Sequence, residues 1–202
     1  MRGIMKKIPL LLLLLLLPSF LVACAARPLR PDANRVGSST GGARRATLAN
    51  ANGFFLTSPA VEDGGALPVK YTCDGESATL PLSWRNVPTG TVEFAVVMHH
   101  VPGPGDTHWY WVLYNIPAAI TSLPENVTSV GVLGTNSVND RTEYAPPCSK
   151  GPGPKEYIYT VYALSSPPAL AVPPAQVSRD VLLTAIDGRV LGSAEMAVIY
   201  SR

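Results

Sequence analysis

The stretch MHHVPGPGDTHWYWVLYNIP, Met98 to Pro117, decides the fold. Two histidines end an apolar run, a Pro/Gly turn follows, and a third histidine opens an aromatic run. Proline and glycine are the strongest breakers of regular structure. The β-branched and aromatic residues on either side of them read as two strands. The three histidines also raise the possibility of a metal site. Adjacent residues of a strand face opposite ways, so His99 and His100 do not easily share one ion. Zinc needs three or four ligands at fixed geometry, and the nearest carboxylate is Asp106, in the turn. Solvated or core-satisfied histidines are the better reading.

The same pattern recurs outward from this stretch. EFAVVMHH (93–100), WYWVLYNIP (109–117), YIYTVYALS (157–165) and MAVIYSR (196–202) are short apolar runs separated by Pro/Gly-rich turns. Their apolar character on both faces predicts interior strands of a packed sandwich. Only SRDVLLTAIDGRVLG is helical in pattern. Ser178 is the candidate N-cap, Asp180 lies in the first turn, and Val181, Leu182, Ala185 and Ile186 fall at helical spacing. Gly188 or Gly192 would end it. Many strands and one late helix predict a mostly β domain over residues 47–202, large enough for a real core.

The N-terminus has a different character. MRGIMKK, a leucine run and LVAC (21–24) make a signal peptide over residues 1–23. LVAC resembles a bacterial lipobox, which predicts cleavage before Cys24 and attachment of a diacylglycerol to it. The expected location is therefore a bacterial cell envelope, anchored by lipid and, in a Gram-negative host, at the outer membrane. Residues 24–46 carry Arg27, Arg30, Arg35, Arg44 and Arg45 against the single acid Asp32. With Pro, Gly and Ser and few apolar side chains, they read as a flexible basic tether. Its arginines could lie on anionic lipid. Residues 47–202 hold eight basic and thirteen acidic residues, a net of −5, which argues against a nucleic-acid partner. With Cys24 lipidated, Cys73 and Cys148 remain in an oxidising compartment. They form either a disulfide, the favoured reading, or two buried free thiols.

YTCDGESATLPLSWRNVP (71–88), WVLYNIP (111–117), LPENV (123–127), GTNSVNDRTEYAPPC (134–148) and YIYTVYAL (157–164) follow one another in order. Together they resemble the bacterial branch of the phosphatidylethanolamine-binding protein (PEBP) family, the Raf kinase inhibitor-like proteins. The resemblance spans roughly residues 56–202. It implies an antiparallel β-sandwich with a small helix near the C-terminus and a shallow anion pocket at one end of the sheets. Family members carry Asp-Pro-Asp-x-Pro after the strand that here ends VVMHH, a histidine in the next strand, and a later Gly-x-His-Arg-Tyr.

This chain departs at most of those polar positions. His100 stands at the first aspartate, Val101 and Pro102 at the next proline and aspartate, and Pro104 keeps the last proline. Tyr110 replaces the strand histidine, Lys155 and Glu156 replace His-Arg, and Tyr157 is retained. Side chains two apart on a strand share a face, so His108 points with Tyr110, and Lys155 with Tyr157. If His100, His108, Tyr110, Lys155 and Tyr157 converge, an Asp/His site has become a His/Tyr/Lys site. Two carboxylates are lost and a permanent cation gained, so the pocket should favour anions more strongly. An imidazole ordinarily gains its proton below about pH 6.5, which would make that preference pH-dependent.

The remaining motifs are weaker. No G-x-S-x-G elbow is present, and Ser83 lies in PLSW, which the family uses structurally. Trp109 and Trp111, taken to share a face with Leu113, read as core before they read as stacking platforms. Asp74-Gly75-Glu76 is a fragment of a calcium loop, better explained as a turn beside the disulfide. Asn126-Val-Thr is a glycosylation sequon only in a eukaryotic context. The expected protein is a non-catalytic, lipid-anchored binder of a small anionic or polar ligand, with no cofactor and no metal. The runner-up is a protein-inhibitor or scaffold module that uses the pocket rim. A degenerate hydrolase or metal protein comes third.

Overall fold

Strand-forming runs with apolar side chains on both faces need cover on both sides, and the chain supplies it with a second sheet and a helix. The computed structural model describes residues 53–202. The expected signal peptide and tether, with Cys24, lie outside the described residues. The strands are β1 (Phe55–Thr57), β2 (Gly65–Ala66), β3 (Leu82–Arg85), β4 (Glu93–Gly103), β5 (Asp106–Pro117), β6 (Ser122–Leu123), β7 (Val132–Leu133), β8 (Lys155–Leu164) and β9 (Val190–Tyr200). They form a three-stranded sheet, β1-β3-β6, and a six-stranded sheet, β2-β9-β8-β4-β5-β7. The pairings are antiparallel except β2 with β9, which is parallel, so the expected all-antiparallel sandwich is corrected at that edge. A two-residue strand can lie parallel there because Leu67 N donates to Ile199 O and the Asp63 carboxylate accepts from Ala197 N. Each sheet ends in strands of only two or three residues.

The four long strands β9, β8, β4 and β5 are interior, as their two-faced apolar runs demand. One face packs against the small sheet. Leu56, Leu82 and Trp84 meet Phe94, Val96, Met98, Trp111, Tyr159, Met196 and Val198 in one buried core. Trp84 stands edge-on to Phe94 at 5.1 Å between ring centroids and so joins the two sheets. The opposite face buries Ala95, Val97, Val112, Tyr114 and Leu164 beneath Val177, Leu182 and Ile186. Leu182 and Ile186 come from α1 (Arg179–Ala185) and its end. Ser178 caps the helix, accepting from Val181 N at 3.2 Å as its sequence position predicts. The helix ends at its C-cap, Ile186, and Gly188, at φ 70°, lies in the turn that follows, the nearer of the two expected stops. Arg189 N closes a turn onto Ile186 O, and β9 begins before Gly192.

A bulge in β5 corrects one sequence expectation. Met98 pairs with Trp111, but His99 pairs with Trp109, leaving Tyr110 as the extra residue. A bulge shifts the alternation by one. Tyr110 and Trp111 therefore both turn to the inter-sheet core, while Trp109 turns to the helix-covered face. Trp109 and Trp111 do not share a face. Trp109 Nε1 donates to Thr135 O at 2.9 Å, and Trp111 stands edge-on to Tyr144.

Candidate functional site

The β4–β8 ladder runs until His99 pairs with Ile158. At the next residue a side chain takes over, and His100 Nδ1 donates to the Glu156 carbonyl at 2.8 Å. A carbonyl only accepts, so Nδ1 carries the hydrogen and Nε2 is the nitrogen left to take up a proton. His100 is 8% exposed. Its ring lies over Tyr157 at 5.4 Å, and Tyr157 meets Tyr110 edge-on at 5.2 Å. The bulge that directs Tyr110 inward is what completes this trio.

Burial pushes both phenols up from their ordinary range, and for Tyr157 the neighbouring Tyr110 adds to the effect. The Tyr157 hydroxyl is buried near the Tyr110 hydroxyl and the Cys148 backbone, yet makes no well-formed hydrogen bond.

The structure places the other two expected residues at the rim. Strand alternation does put Lys155 on the face of Tyr157, and Glu156 faces solvent. The Lys155 ammonium, however, donates to the Lys150 carbonyl at 3.1 Å. His108 lies directly across the ladder from His100. Its imidazole is half-exposed and sits 3.2 Å from the Asp106 carboxylate at the start of β5. Three of the five residues therefore form the cluster, and two are mobile-length polar side chains at its edge.

Sequence reasoning missed a second group beside this cluster, the Asp74, Tyr200 and Arg202 set next to the expected disulfide. The Cys73–Cys148 disulfide is formed. It joins the CDG turn to the end of the segment 134–148, and Cys73 N also donates to Pro147 O. That segment is folded around Asn136, which is 1% exposed. Asn136 Nδ2 donates to the Arg141 and Glu143 carbonyls, and its Oδ1 accepts from Val138 N and Asn139 N. Next to Cys73, the Asp74 carboxylate accepts from the Tyr200 hydroxyl and from Arg202, whose Nε lies 2.7 Å away. The Arg202 guanidinium, helped by Tyr200, holds the Asp74 carboxyl well below the usual carboxylate range, at about 2. Asp74 is thus an ion-pair partner rather than a calcium ligand. Among the described residues no three His, Cys, Asp or Glu side chains are grouped to hold a metal ion.

Gly75 is required by this turn. A Cβ there would stand 2.2 Å from Val69 O and 2.9 Å from Lys70 Cα, so backbone would have to move. Gly75→Ala is expected to lower stability by about 1–3 kcal/mol. Thermal unfolding under oxidising conditions checks this, and an unchanged midpoint would contradict the close packing of the turn.

The comparisons with known proteins agree with this architecture. A model of the phosphatidylethanolamine-binding protein family matches residues 57–201. The chain belongs to that family. A UPF0098 protein of Methanothermobacter thermautotrophicus is 36% identical over 152 residues, which cover 73% of this chain and 98% of that protein. A Mycobacterium tuberculosis protein named "Putative lipoprotein LppC" is 31% identical over 120 residues, covering 59% of this chain and 58% of that one. Among solved structures, a PEBP homologue from Chlamydia trachomatis superposes with a TM-score of 0.67 at 27% identity, covering 75% of this chain and 99% of that one. Escherichia coli YbcL, described as a member of the mammalian PEBP family, superposes with a TM-score of 0.66 at 26% identity, covering 74% and 98%.

Proposed function

We propose that this PEBP-family chain is a lipid-anchored envelope protein whose His100–Tyr157–Tyr110 end binds a small anionic or polar ligand without transforming it. The observation that carries the reading is the buried Tyr157 hydroxyl. It lacks a well-formed hydrogen bond and sits beneath His100, on the strand face that ends in Lys155. A phenol donor, a titratable imidazole and a cation suit an oxyanion. The site offers no nucleophile held by a base, which is why we assign it binding rather than hydrolysis. The anchor is supported by the LVAC pattern at Cys24 and by the lipoprotein name of the mycobacterial relative. One observation favours protein docking at the rim as a second reading: Val101, beside His100 near the end of β4, is 49% exposed.

Titration of phosphate, sulfate and phosphoethanolamine against wild type and Lys155→Ala tests the proposal, at about pH 5.5 and pH 7.5. Binding in the millimolar range or tighter is expected at both. Lys155→Ala should weaken it roughly tenfold, the low end for a charge-assisted hydrogen bond at a partly exposed group. No binding at either pH, or no effect of the substitution, would remove the anion reading and leave the rim to a protein partner.

A further inference from the structure

The Cys73–Cys148 bridge is not symmetric in its surroundings. Both cysteines are partly exposed residues. Arg202 Nη2 lies 3.6 Å from Cys73 Sγ. Among the described residues no cation donates to the Cys148 sulfur. Asp74 shares the same guanidinium through Oδ1 and Oδ2. On the other side, the Cys148 backbone lies against the Tyr157 hydroxyl of the cluster.

We propose that this disulfide is a thiol–disulfide exchange site for a low-molecular-weight thiol or a protein dithiol, with Arg202 directing attack to Cys148. The incoming thiolate attacks Cys148 Sγ. A new S–S bond forms between it and Cys148, and the Cys73–Cys148 bond breaks. The electron pair of the broken bond leaves on Cys73 as a thiolate beside the guanidinium. A second thiolate attacks the sulfur of the attached thiol, releases the Cys148 thiolate and forms the oxidised disulfide of the reductant. Solvent supplies the protons. The rate of such exchange rises as the leaving thiol becomes more acidic, and an adjacent arginine makes it so. Attack at Cys73 would instead expel Cys148, which has no such stabilisation.

The geometry also sets what moves. The released Cys73 stays tied through Arg202 to Asp74, whereas Cys148 carries away the loop that touches Tyr157. Exchange therefore loosens the cluster side of the bridge. The proposal rests on the disulfide and Arg202, independently of whether an anion binds.

The test uses the oxidised protein with limiting glutathione and iodoacetamide present to trap the freed thiol, followed by peptide mass mapping. Glutathione should be found on Cys148 and the alkyl group on Cys73. Arg202→Gln should lose this preference and slow exchange severalfold, since a less acidic thiol leaves more slowly. Arg202→Lys should restore part of both. Equal labelling of the two cysteines in the wild type, glutathione on Cys73, or an Arg202→Gln variant with unchanged rate and preference would overturn the proposal. The position of the label is a readout that a merely structural arginine would not move.

Discussion

The Cys73→Ala/Cys148→Ala double variant is expected to lose about 4 kcal/mol of stability, the largest effect of any change at the surface of this domain. The bridged residues are 75 apart in sequence, so the cross-link removes a long loop's worth of freedom from the unfolded chain. In a chain of this size that loss corresponds to roughly 8–16 °C in the unfolding midpoint. Both cysteines sit in segments with little regular structure of their own. The CDG turn is held by Arg202 and Tyr200, and the segment 134–148 by Asn136. Those contacts should keep the reduced protein folded but less stable. Calorimetry of the oxidised wild type, the reduced wild type and the double variant checks this. The last two should agree with each other, and a shift below about 2 °C would show that the unfolded chain gains little from release of the bridge.

The second large effect is expected from Trp111→Ala, at about 3–5 kcal/mol. Trp111 is 1% exposed and lies in the inter-sheet core, edge-on to Tyr144 at 5.6 Å. Truncation leaves a void bounded by both sheets, and neither can collapse into it without breaking ladder hydrogen bonds. Trp109→Phe, two residues earlier, should cost only about 1 kcal/mol, the hydrogen bond from Nε1 to Thr135 O. Urea unfolding of the two variants measures both losses, and a loss from Trp111→Ala no larger than that from Trp109→Phe would contradict the burial described for Trp111.

The long elements were legible in the sequence because each carries its own signal. β4, β8 and β9 announce themselves as β-branched and aromatic runs, and α1 by Ser178 and its apolar spacing. The bulge was not legible. In His108–Tyr114 nearly every residue is aromatic or aliphatic, so a one-residue slip leaves no trace in the pattern. The edge strands β2, β6 and β7 are two residues each and exist only through their partners. In the site, His100, Tyr110 and Tyr157 could be placed together only through the family resemblance, and the structure has them on the neighbouring strands β4, β5 and β8. Lys155 and His108 follow a different rule. Long or exposed polar side chains settle on the nearest available group, here the Lys150 carbonyl and the Asp106 carboxylate. Asp74 and Arg202 meet across 128 positions, and no local pattern records that.

The short strands at the margins of both sheets have a consequence for how many copies can coexist. Open strand edges recruit further strands, and a long flat edge seeds aggregation. Here the margins are β2 and β7 on one sheet and β1 and β6 on the other, none longer than three residues. A chain held by lipid would meet its neighbours in a plane, at a local concentration far above that in solution. Margins this short deny those neighbours a template for pairing, so the fold is insulated against its own crowding.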